Sequence, residues 1–300
     1  MVHPLQTYLS RTFLELGDGF HFSAPPPDDI AEDRFLGSDE PWEVLACILT
    51  RLQQGQLEAA ESLPDLMARV DDAGVWNACA TLAGFAGPRR LLQRIAATFE
   101  RRFGDRGVQF YVSDALANGC GLWAVPHLLA MHALASEDDT RIHLEISLSR
   151  ILEAEPGPVW SGPEETTTTS EDLPPAFRET TVTLDLEGYA ALVQERTAEL
   201  AARLGADADK AVAEGEVVEI ETVAQRLLRR IGTGEATNRL GWERMILEAA
   251  TGLDCRGFFD EEGVFQPLAA AAIVEDFLES GQAVKYEPGV RYFFRHRIPD

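Results

Sequence analysis

Three hundred residues carry 50 acidic side chains against 26 basic ones, a formal net charge of −24, with 45% hydrophobic and 25% charged residues. That apolar fraction suits a globular chain of one large or two ordinary domains. The charge repels phosphate backbones and anionic membranes, so nucleic acid is excluded as an expected partner, and no run of about 18 apolar residues is present to cross a bilayer.

The start, MVHPLQTYLSRTF, lacks the charged beginning and long apolar run of a secretory signal. Four cysteines (Cys47, Cys79, Cys120, Cys255) show no CxxC spacing. They read as free thiols of a cytoplasmic protein, with neither a disulfide framework nor a zinc site.

From Pro41 onward the chain reads as consecutive helices. PWEVLACILTRLQQG (41–55) opens on proline and closes on glycine, and LEAAESLPDLMARVDDAG (57–74) breaks or restarts at Pro64. VWNACATLAGFAG (75–87), PRRLLQRIAATFERRFG (88–104), VQFYVSDALANGCG (108–121), WAVPHLLAMHALAS (123–136) and TRIHLEISLSRILEAEPG (140–157) follow. Glycines close these segments and prolines open them, as helix ends favour. Paired segments give a period in the thirties, the spacing of a helical solenoid. Within AVPHLLAMHALASEDDTRIHLEISLSRILE (124–153), Pro126 opens a first helix, Asp139 lies in the turn and Arg141 starts a second. SLPDLMARVDDAGVWNACATLAGF (62–85) repeats the pattern more loosely, with Pro64 and Asp72. This stretch, about 40–153, resembles HEAT-type repeats, which implies an α-solenoid presenting a surface to a macromolecule.

Residues 155–181 then break the pattern with five Pro, two Gly, a run of four Thr and many acids, as a linker or long loop does. TVTLDLEGY (181–189) alternates Val182, Leu184 and Leu186 and predicts a short strand. Helices are predicted again over 189–205, 207–215, 218–232, 241–252 and 266–281. The glycine-rich GTGEATNRLG (232–241) lacks GxxxxGK[ST] and is no phosphate loop. The fold class expected is mainly α, with a HEAT-like array over 1–154, a linker over 155–181, and a helical region over 182–300 ending in a β-hairpin.

The last stretch, AVKYEPGVRYFFRHRIPD, has period two. Val290, Tyr292, Phe294, His296 and Ile298 share one face, and Arg291, Phe293, Arg295 and Arg297 the other. A loop of Pro288, Gly289 and Val290 pairs Tyr286 with Tyr292 and Val284 with Phe294, which sets the aromatic face inward. Arg291, Arg295 and Arg297 on the basic face, and Asp260, Glu261 and Glu262 in the turn of GLDCRGFFDEEGVF, are the candidates for partner contact.

Reactive candidates are weaker. His132 shares a helical face with Val125, Leu128 and Leu129 and reads as a packed histidine. Cys255 beside Arg256 suggests a lowered thiol pKa, and Arg244 with Glu248 reads as an exposed i, i+4 ion pair. No catalytic, cofactor or metal residue is assigned. In general character the chain resembles bacterial immunity proteins of polymorphic toxin systems, which implies a protein partner, a basic toxin domain, bound and neutralised. A helical-repeat scaffold for another protein, and an enzyme built on Cys255 and His296, stay open as alternatives.

Overall fold

A computed structural model describes residues 28–153, 160–161, 183–233, 238–260 and 264–300. The chain is mainly helical, with twelve α-helices and six two-residue strands among the described residues. It divides into two compact units, one made of residues 1–91 with 219–300, the other of 92–218. None of the described helices is long and apolar enough to cross a membrane.

The discontinuous unit begins with α1 (Asp33–Leu36), α2 (Pro41–Gln53), α3 (Leu63–Arg69) and α4 (Ala73–Ala86). Pro41 occupies the first turn of α2, where its missing N–H is harmless. Asp72 caps α4 by accepting from the Val75 amide at 2.9 Å. The unit resumes with α10 (Ile220–Thr233), α11 (Asn238–Thr251) and α12 (Pro267–Glu279). Here α11 packs against both α10 and α4, and α12 lies on α10. Every residue of α11 from Trp242 to Thr251 is buried, so this helix is the axis of the unit.

The contiguous unit holds α6 (Arg106–Asn118), α7 (Val125–Leu134), α8 (Asp138–Leu152) and α9 (Leu186–Leu204), while α5 (Arg89–Phe99) spans the boundary in sequence. α8 packs on α6 and α7. Within the expected strand over 181–189, Thr183–Leu184 forms β2, parallel to β1 (Trp160–Ser161), and residues 181–182 lie outside the described residues. Asp185 then caps α9 by accepting from the Gly188 amide at 2.6 Å, which turns the chain into helix at Leu186. The linker expected over 155–181 lies outside the described residues apart from Trp160 and Ser161.

Both units contain one local device of the same kind. In the contiguous unit, β3 (Val212–Ala213) pairs antiparallel with β4 (Glu216–Val217) around Glu214 and Gly215, both at positive φ. Their amides donate to the Arg150 and Ile151 carbonyls at 2.8 and 2.9 Å, and so close the C-terminal end of α8. In the discontinuous unit, β5 (Tyr292–Phe293) pairs with β6 (His296–Arg297) around Phe294 and Arg295, again both at positive φ. Their amides donate to Ala249 and Ala250 at 2.7 and 2.8 Å and close α11. The return bonds match as well, Val218 to Ala211 at 2.8 Å and Ile298 to Arg291 at 2.9 Å. A turn with positive φ at both central residues fits the twist of a two-residue hairpin, and its two free amides are what a helix end lacks.

Two expectations are corrected by this device. Residues 207–215 are not a helix: Gly205–Asp209 forms a 3-10 turn and the rest enters β3. The pairing expected across Pro288–Gly289 does not form either, because Gln282–Lys285 is a 3-10 helix. With the turn moved to Phe294–Arg295, the buried face changes: Phe293 is 0% exposed, and Phe294 is only half-buried.

Candidate functional site

The three arginines of the terminal stretch have different duties. Arg291 donates from Nη1 to the Gly87 carbonyl at 2.7 Å and from Nη2 to the Gly84 carbonyl, capping the end of α4. Arg295 donates from Nε to the Thr251 carbonyl at 2.9 Å, at the end of α11. A cation at a helix C-terminus answers both the orphan carbonyls and the dipole. Arg297 stays exposed and pairs with Glu287 at 3.0 Å. His296 lies against the backbone at Gly55, where φ is +87° and a Cβ would fall 2.6 Å from His296 Nδ1.

Asp260 closes its own loop. Its Oδ1 accepts from the Val264 amide at 2.8 Å and its Oδ2 from Gln266 Nε2 at 2.7 Å. Glu261 and Glu262 lie outside the described residues.

The groups best equipped for chemistry are sealed inside. Arg244 and Glu248 are 0% and 2% exposed and pair at 3.3 Å, so the ion pair expected at the surface is buried, because α11 is covered on all sides. The Phe259 ring covers the Arg244 guanidinium at 5.7 Å. Burial pushes the Glu248 carboxyl up to about 8, against the opposing pull of Arg244 and of a hydrogen bond from the Cys255 backbone. Glu243, also on α11, takes Arg226 and faces Arg230 from α10. The Cys255 thiol is 0% exposed and held well above its ordinary pKa by burial and by Glu248, the reverse of the lowered value expected. Arg256 turns away from it to pair with Asp254.

In the contiguous unit, His132 is buried as expected and bonds through Nε2 to Glu145 Oε1 at 2.9 Å. The Tyr189 ring stacks on it at 4.6 Å. Burial, then Glu145 and Glu153, push the Tyr189 hydroxyl well above its ordinary pKa. A second group, His143 with Asp114 and Arg150, is partly open to solvent. Burial raises the Asp114 carboxyl, but His143 and Arg150 outweigh it and hold the group below its ordinary value. No set of three metal-ligating side chains is placed to hold an ion among the described residues.

The surface has the opposite character. Several cations turn inward, Arg230, Arg244, Arg291 and Arg51 among them, the last donating to the Ala31 carbonyl at 2.8 Å. Four of the described carboxylates are buried as well, Glu145, Glu214, Glu243 and Glu248, and most of the others face water. Exposed acids outnumber exposed bases by about two to one among the described residues. The negative sign of the chain is thus carried on its outside, and that surface is the candidate site.

No family model, no curated protein and no solved structure matches the chain.

Proposed function

We propose that this chain is an acidic protein-binding module, an immunity protein that binds and neutralises a basic toxin domain. HEAT-like helix pairs over 40–153 would supply part of the binding scaffold. The observation that carries the reading is the acidic exterior, where exposed acids outnumber exposed bases by about two to one among the described residues. A field of this kind speeds encounter with a cationic partner and rejects anionic competitors.

The test is capture of a basic protein by the tagged chain in its native host, with the product of the adjacent gene as the first candidate. Association should slow at least tenfold between about 0.01 M and 0.15 M salt, as the screening length shortens from about 30 to about 8 Å. A salt-independent complex, or no basic protein captured, refutes it.

A further inference from the structure

The two hairpins end two longer runs of matching structure. Residues 125–218, inside the contiguous unit, run as α7, α8, α9, a 3-10 helix (Gly205–Asp209) and the β3–β4 hairpin. Residues 220–298, inside the discontinuous unit, run as α10, α11, α12, a 3-10 helix (Gln282–Lys285) and the β5–β6 hairpin. The order is the same, and only Glu219 separates Val218, where the first run ends, from Ile220, where the second begins.

Packing follows the order. In each run the second helix packs on the first, α8 on α7 and α11 on α10, and the third lies on the first, α9 on α7 and α12 on α10. A glycine at positive φ, Gly205 at +56° or Gly281 at +66°, leads from the third helix into the 3-10 helix. The hairpin then returns to the second helix and gives two consecutive amides to two consecutive carbonyls at its end. Each second helix also holds a buried glutamate that meets side-chain nitrogen from the first helix: Glu145 meets His132 at 2.9 Å, and Glu243 meets Arg226 and Arg230. A carboxylate at that depth needs such a partner. The runs differ between their second and third helices, where the first has the parallel β1–β2 pair and the second an antiparallel bridge from Phe259 to Phe265.

Local composition does not account for the second hairpin. Glu214–Gly215 includes a glycine, which takes positive φ freely, whereas Phe294–Arg295 puts two large side chains where each costs energy. Such a turn persists only where its surroundings fix it. Here the fixed points are Ala249 and Ala250, which stand on α11 where Arg150 and Ile151 stand on α8.

We infer that residues 125–218 and 220–298 are two copies of one structural repeat, three helices locked by a hairpin clip on the end of the second, each copy closed by its own clip. The clip holds through backbone amides, so its turn accepts other side chains and does not accept the loss of an N–H.

Hydrogen exchange of the full chain, read by mass spectrometry on peptides from both hairpins and both second-helix ends, tests this. In the wild type both hairpins should exchange at least about a hundredfold slower than the same peptides unfolded. Glu214→Pro removes a donor; it should bring 212–218 near the unfolded rate and speed 146–152 at least about tenfold, with 245–251 and 292–298 within about twofold. Phe294→Pro should give the mirror result. Phe294→Asn/Arg295→Gly installs the pair that a two-residue turn of this kind favours, and should keep 292–298 within about tenfold of the wild-type rate. The inference is overturned by an unprotected hairpin in the wild type, by a proline variant that leaves its own helix end slow or acts equally on both copies, or by an Asn–Gly turn that loses protection. Should a proline variant fail to fold, the wild-type and Asn–Gly measurements still decide it.

Discussion

Glu248→Gln should be almost silent near pH 4 and increasingly protective from there to pH 8. In the folded protein the Glu248 carboxyl is raised to about 8, whereas in the unfolded chain it titrates near its ordinary value, about 4.3. Between those limits the folded state holds a proton that the unfolded state has released, so stability is fully present at low pH and falls as pH rises toward 8. The slope is about 1.4 kcal/mol per pH unit, which makes about 2–3 kcal/mol between pH 6 and pH 8. Glutamine is the neutral isostere, so it removes that slope and leaves Arg244 with much the same neighbour it has at pH 6. Urea unfolding followed by circular dichroism at pH 4, 6, 7, 8 and 9 measures this, provided the slope m is equal in both proteins. A loss of about 3–5 kcal/mol at pH 6 would refute the reasoning, because that is the cost of stripping an ionised partner from a buried charge.

The terminal stretch offers a second test. Phe293→Ala should cost about 3–5 kcal/mol, because the ring is wholly buried, while Arg297→Ala should stay within about 0.5 kcal/mol; thermal melts of the two variants decide it. Gly215→Ala puts a Cβ at φ +73° and should cost about 1–2 kcal/mol, read in the same way. All four thiols are buried, so a chromogenic thiol reagent should label none in native buffer and all four in denaturant. Asp114→Asn should flatten the acid limb of the stability curve. The depressed carboxyl contributes stability above its unfolded pKa and loses it as pH falls through its folded one, which acid titration of the variant reports.

Much of the helical content was legible because its borders are chemical. Pro41, Asp72 and the glycines at 55, 87 and 205 act on the nearest turn and leave a local mark, whereas the cap Asp185 was hidden in the alternation of 181–189. The terminal turn left none. Phe294 and Arg295 are poor residues for positive φ, and Pro288–Gly289 is a stronger turn signal. What selects Phe294–Arg295 is the orphaned carbonyls of α11, some 44 residues earlier in the chain. Glu214–Gly215 between Val212 and Val217 was a readable hairpin signal, hidden behind the alanines and charges that favour a helix. For the same reason Arg244 and Glu248 read as a surface pair. Spacing sets which residues share a face, and the packing of α10 and α4 sets whether that face meets water.

The union of residues 1–91 with 219–300 also has a consequence in time. Arg291 reaches the Gly87 carbonyl across 204 positions of sequence. At the ribosome, where synthesis runs at about 5–20 residues per second, the end of α4 waits about 10–40 s for its cap. The apolar faces of α2 to α4 are made first and covered last, while residues 92–218 emerge as a continuous piece with their hairpin already in hand. A chain cut before Ile298, which is 2% exposed, would also lose the bond from its amide to the Arg291 carbonyl at 2.9 Å, and with it the closure of the hairpin that holds Arg291 on the end of α4.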